Sequence, residues 1–130
     1  MALSNPQITN QPWRTPVWPE KLPAAEFLRA RYGPDADELT IRFPETAKRD
    51  IVVVWLATPK VEYAALMVHE HTGEVVGVQV DYLADYARMQ HVAWQAAATS
   101  NPPLAVASRI VTDIKQLFDR YGIEPSDRER

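Results

Sequence analysis

Cysteine is absent from the 130 residues, which excludes disulfide staples, thiolate nucleophiles and Cys-based metal sites together. Glycine is scarce, and the four that occur stand singly, so there is no Gly-rich loop to cradle a phosphate. Serine occurs only at positions 4, 100, 108 and 126, never inside a G-x-S-x-G elbow. A surplus of positive charge is missing too. Fourteen basic side chains face 17 acidic ones, for a net charge of −3, which argues against nucleic acid or an anionic membrane as the main partner. The longest apolar run, Ile51 to Ala57, has seven residues, against the ~20 of a membrane-spanning helix. No apolar signal-like stretch follows Met1, so the expectation is a soluble cytoplasmic protein.

What remains is a chain with 46% hydrophobic and 24% charged residues, long enough for one domain with its own core. Five of its 11 prolines fall in the first 23 residues. Proline fixes φ and biases the preceding residue towards extended backbone, so residues 1–22 read as an extended arm. Unlike an ordinary disordered tail, this arm carries aromatic residues, Trp13 and Trp18. It can dock on its own domain or lie across a partner subunit, and both stay open.

Period-2 patterning dominates from Phe27 to Tyr82. Phe27–Tyr32 and Glu38–Phe43 flank the turn residues Gly33-Pro34-Asp35, and Leu39, Ile41 and Phe43 alternate with polar neighbours as in a half-buried strand. Residues 24–32 also fit a short helix, with Pro23 at its start and Gly33 at its end. Ile51 to Leu56 is apolar on both faces, the pattern of a central strand covered on both sides. Val61–His71 and Glu74–Asp81 flank a short turn at His71-Thr72-Gly73, with Val76, Val78 and Val80 expected on one face. Gly77 interrupts that last strand, where it weakens the pairing unless a neighbouring backbone needs the space.

The period then becomes helical. Asp81 suits the N-cap of a helix over residues 82–98, with Tyr82, Leu83, Tyr86, Met89, Ala93, Trp94 and Ala97 as its apolar stripe. Ser100 or Asn101 can cap a second helix over 104–121, whose stripe Leu104, Ala107, Val111, Ile114, Phe118 and Tyr121 is widened by Ile110 and Leu117. Arg109–Asp113 and Lys115–Asp119 are (i, i+4) pairs on its polar side, and Gly122 ends it. The expected organisation is an arm (1–22), a single α+β domain (23–122) and a polar tail (123–130). Its antiparallel sheet has four or five strands, followed by two C-terminal helices.

Few residues suggest chemistry. His69 and His71 share one face of a strand and, with Glu74, could approach a metal, but the set lacks the further ligand a closed site needs. Asp81 and Asp85 are explained by helix-start preferences. Trp55, Tyr63, Phe43, Tyr82 and Tyr86 could line a concave sheet and bind a flat apolar ligand, but core packing between sheet and helices is the favoured reading. No catalytic residue, metal ligand or cofactor site is therefore assigned.

Two segments carry a resemblance. Tyr32-Gly-Pro-Asp-Ala-Asp37-Glu-Leu39-Thr-Ile41 fits Tyr-x4-Asp-x-Leu-x-Ile, and Gly73-Glu-Val75-Val76-Gly77 fits Gly-x-Val-Val-Gly. In this order they resemble the opening hairpin and closing strand of a family of small bacterial β-rich domains of unknown function, some antitoxin-like. The resemblance covers about residues 32–83. Gly33 stands where the family usually has Asp, and the middle is longer by one strand. The resemblance implies the fold and tilts residues 27–32 towards strand, but supplies no mechanism.

The expected function is a non-catalytic interaction or accessory protein, acting as a homo-oligomer or in a larger complex. Its candidate contact residues are Trp13, Trp18, Ile110, Ile114 and Leu117. The alternative is a small-ligand-binding domain or enzyme with a pocket between sheet and helices; a third is an antitoxin-like partner protein.

Overall fold

A computed structural model describes residues 15–44, 50–58 and 63–124. Five strands, β1 (Arg29–Gly33), β2 (Glu38–Arg42), β3 (Ile51–Trp55), β4 (Ala64–His69) and β5 (Val75–Asp81), form one sheet in the order β1-β2-β5-β4-β3. Every neighbouring pair is antiparallel. The β1–β2 hairpin thus lies at one edge, and β3 starts at the other. From there β4 and β5 return until β5 lies beside β2. One long helix, α1 (Leu104–Tyr121), follows.

The α+β class and the five-stranded antiparallel sheet agree with the sequence pattern. The two-helix expectation does not. Residues 82–91 form turns, and only a 3-10 helix at Val92–Ala97 follows them. The reason lies in where the backbone donors go. The Asp37 carboxylate takes the Ala84 N–H at 2.8 Å, and the Asp37 carbonyl takes that of Leu83 at 3.3 Å. The Asp85 carboxylate takes that of Ala87 at 2.9 Å. Leu83 and Ala84 would be unpaired first-turn donors in any helix starting at 82. The bond that interrupts an i→i−4 ladder is therefore the one that Ala87 donates to Asp85, because a helix would direct that N–H to the Leu83 carbonyl. Tyr82 has φ 57°, and Asp81 ends β5 rather than capping a helix. The expected stripe survives in part, because Leu83, Met89, Trp94 and Ala97 are all buried.

Asp37 is itself in the left-handed region at φ 52°, which Asp tolerates better than most residues. Tyr32 donates its hydroxyl to Asp37 Oδ1 at 2.7 Å. Burial, followed by this hydrogen bond and the Asp37 charge, pushes the Tyr32 hydroxyl up to about 12.

Two strand expectations also need correction. Ile51–Leu56 is not a central strand, since β3 forms a sheet edge and Val53 is 40% exposed. The strand buried on both faces is β4, where Ala64 to Val68 are all enclosed. In β5 the register steps from Met67↔Gly77 to Val68↔Val75, leaving Val76 as the extra residue of a bulge. Val75, Val78 and Val80 consequently join the core in place of the expected Val76, Val78 and Val80.

The two readings of residues 24–32 resolve into a 3-10 turn, Ala25–Phe27, leading into β1. Helix α1 runs as the spacing indicates, although its N-cap is Pro103 rather than Ser100 or Asn101. Both expected ion pairs form, Arg109–Asp113 at 3.2 Å and Lys115–Asp119 at 2.7 Å. Ala107, Ile110, Val111 and Ile114 face the sheet, packed with Leu39, Ile41, Leu66, Val78 and Val80 in one core. Trp94 closes that core from the side and donates its indole N–H to Asp113 Oδ2 at 2.9 Å.

Gly77 accounts for the close approach of β2 and β5. A Cβ there would lie 2.5 Å from the Ile41 carbonyl oxygen and 3.2 Å from Arg42 Cα, both backbone atoms that cannot swing aside. Gly77→Ala should therefore cost about 1–3 kcal/mol as an overpacked site. Gly33→Ala, whose added carbon meets nothing closer than 3.9 Å, should leave the urea midpoint almost unchanged. Equal midpoints for the two variants would contradict this account of the β2–β5 junction.

Candidate interaction surface

The sheet has a second face, away from α1. The strand register lays out its rows. Trp55 stands opposite Ala65, then Gln79, Thr40 and Arg31; Val53 stands opposite Met67, then Gly77, Arg42 and Arg29. A further row holds Glu38 opposite Asp81, whose N–H meets the Tyr63 carbonyl at 2.8 Å. None of Trp55, Val53, Met67 and Ala65 belongs to the core under α1. The second face is thus apolar beside β3, basic beside β1 and acidic at the Glu38–Asp81 end.

The outer edge of β3 adds backbone chemistry to this surface. Leu56 N–H donates to the Ala64 carbonyl at 3.1 Å, and Glu70 N–H to the Asp50 carbonyl at 2.6 Å. Alternation along an antiparallel pair therefore turns the backbone groups of Ile51, Val53 and Trp55 outward. The chain after α1 covers part of this edge. Ala57 N–H meets the Gly122 carbonyl at 3.0 Å and Glu124 N–H the Trp55 carbonyl at 2.8 Å, around an Ile123–Leu56 bridge. Beyond this strap, the outward groups of Ile51 and Val53 meet no partner among the described residues.

An aromatic cluster borders the acidic end. Tyr63 and Tyr82 meet edge-on with ring centroids 4.5 Å apart, and the Arg88 guanidinium lies over both. Arg88 also donates to the Tyr63 hydroxyl at 2.7 Å and pairs with Asp85 at 3.6 Å. Tyr86 is 79% exposed. Of the five aromatics assigned to the core from sequence, only Phe43 is there.

The residues singled out from sequence lie elsewhere. Ile110 and Ile114 are fully buried in the chain's own core, and Leu117 packs against it. Trp18 packs on the same chain, 6.3 Å from the Phe43 ring and 6.0 Å from the Phe118 ring, with Lys115 over its face. Beside it, Val17 pairs with the start of β5 through two backbone hydrogen bonds to Gly73 and Val75, each 2.8 Å. Trp13 lies outside the described residues. The His69 and His71 rings are 5.9 Å apart, but His69 Nδ1 already accepts the His71 N–H at 3.2 Å. No group of three or more His, Asp or Glu side chains among the described residues is placed to hold a metal ion.

No family model, curated protein or solved structure matches the chain. The sequence does contain the signal, an uncharged run from Ile51 to Ala57. Apolarity on both sides suits a covered central strand and an edge strand with an open face alike, and only pairing distinguishes them.

Glu38 and Asp81 face each other directly across two paired strands. Burial, then the Asp81 charge and a hydrogen bond with Asp81, raise the Glu38 carboxyl above its ordinary value. A group raised in the folded state contributes stability at low pH, and that contribution is lost as pH rises through the raised value. Glu38→Gln should accordingly raise the melting temperature at pH 7 and gain less at pH 4. Melting curves of both proteins at the two pH values check this; a lower temperature at pH 7 for the variant would contradict it.

Proposed function

We propose that this protein is a non-catalytic interaction protein that receives an extended polypeptide segment along the edge and open face of β3. The observation that carries this reading is the contrast between the two edges of one sheet. Proteins commonly guard exposed edges with charges or proline. The β1 edge follows that rule, with Arg29 and Arg31 in a five-residue strand. The β3 edge has five apolar residues, no charge and no proline. Unsatisfied backbone groups beside exposed apolar side chains favour strand addition, where the backbone supplies affinity and alternate side chains supply selectivity.

A ligand pocket between sheet and helix receives less support, because that layer is filled by buried Leu39, Ile41, Leu66, Val78, Ile110 and Ile114. The second reading that an observation favours is recognition of a small ligand by the open face, where Tyr63, Tyr82 and Arg88 gather. Tyr82 holds a left-handed backbone there, a strained state more common at functional positions than elsewhere.

A photo-crosslinking amino acid placed at Val53 or at Arg31, in otherwise unaltered protein within cells, tests the main reading. The expected result is a polypeptide adduct from position 53 and none from position 31. Adducts from neither position, or equally from both, would overturn it.

A further inference from the structure

We infer that the segment received by β3 is β3 of a second copy, paired antiparallel about Val52 so that two five-stranded sheets join into one of ten strands. This rests on the strand-docking reading above and names its partner.

The register follows from three constraints. Only odd-numbered residues of β3 turn their backbone groups outward, so an antiparallel partner of the same sequence must match odd with odd. The strap Gly122–Glu124 already engages Trp55 and Ala57, which leaves Ile51 and Val53. The pairing that uses both sets Ile51 of each copy opposite Val53 of the other, with Val52 meeting its own counterpart across the two-fold axis. Four backbone hydrogen bonds result. The arrangement is closed and isologous, so it stops at two copies and does not run on into a fibre.

Side-chain chemistry favours the same partner. The β3 residues at the join are Ile and Val only, β-branched side chains that pack well across paired strands. On the open face, two isoleucines and two valines would form one cluster, with Met67 directly behind each Val53. No charge from β3 enters the join. The opposite edge cannot do this, since antiparallel pairing of β1 with itself would bring Arg29 and Arg31 of two copies together, a destabilising like-charge contact. At Asp50 the backbone has φ 61°, a turn at the start of β3 that limits the pairing to a short stretch.

So small an interface predicts a weak, concentration-dependent dimer. Sedimentation analysis of the full chain from about 5 to about 500 µM reads it directly, a range that spans weak association. The mass should rise from one to two copies and no further. Val53→Pro removes an N–H that the β3–β4 pairing does not use, and Val53→Lys places a charge at the join. Each should weaken dimerisation at least about tenfold, on the order of the loss of one backbone contact, whereas Arg31→Glu at the other edge should change nothing. If Val53→Pro does not fold, as judged by circular dichroism, Val53→Lys decides. A wild-type chain that stays single throughout, or a Val53→Lys chain that pairs like wild type, overturns the inference. The crosslink at position 53 separates the two levels. A monomeric chain that still yields an adduct with a different polypeptide defeats the second-copy inference and keeps the strand-docking reading; no adduct defeats both.

Discussion

A sheet has two faces, and the described residues supply one long helix to cover them. That constraint organises the molecule. Helix α1 buries Ala107, Ile110, Val111 and Ile114 against the strands, and the segment before it plugs the margin with Leu83, Met89, Trp94 and Ala97. Fully burying a Val, Leu, Ile or Met side chain contributes roughly 1.5–3 kcal/mol before entropy is counted, so the covered face carries the fold. Among the described residues, none of Val53, Trp55, Ala65 and Met67 on the other face joins this core. On that face Ala65 and Met67 are buried beside Gly77 and Gln79, while Val53 at the β3 edge is 40% exposed.

Joining the two halves of the sheet demands local concessions. Strand β2 comes from the first hairpin and β5 from the last, and their contact is close enough to require glycine at 77. The Val76 bulge resets which valines point into the core. Asp37 ties the first hairpin to the chain leaving β5, through its carboxylate to Ala84 and its carbonyl to Leu83. The Asp85 carboxylate takes the Ala87 N–H in the stretch that follows, which runs as turns and not as the helix its spacing suggests. Tyr82 takes a left-handed backbone at the same place, meets Tyr63 edge-on and lies under the Arg88 guanidinium.

These features show how far the sequence could be read. Strands were visible where alternation was regular, as in Leu39 and Ile41, and α1 where spacing, paired charges and a terminal glycine agreed. Residues 82–98 depart from their helical spacing because Tyr82 takes a left-handed backbone and Asp85 captures the Ala87 N–H, neither of which the apolar spacing encodes. Ile110 and Ile114 looked available for a partner because their stripe is wide; the width serves a broad sheet and a Trp18 that also leans on Phe118. The candidate surface was hidden for a different reason. A strand's place within a sheet is fixed by its neighbours, and Ile51–Trp55 would have the same composition at the centre or at the rim.

The outward backbone groups of Ile51 and Val53 are therefore the decisive feature of the β3 edge. Amide hydrogen exchange, residue by residue and at low and high protein concentration, tests it most directly. Val52 and Val54, bonded to β4, should be protected at both concentrations, while Ile51 and Val53 should exchange freely when dilute and become protected when concentrated. Protection of Ile51 and Val53 that is already complete in the dilute sample, or absent from the concentrated one, would contradict the account.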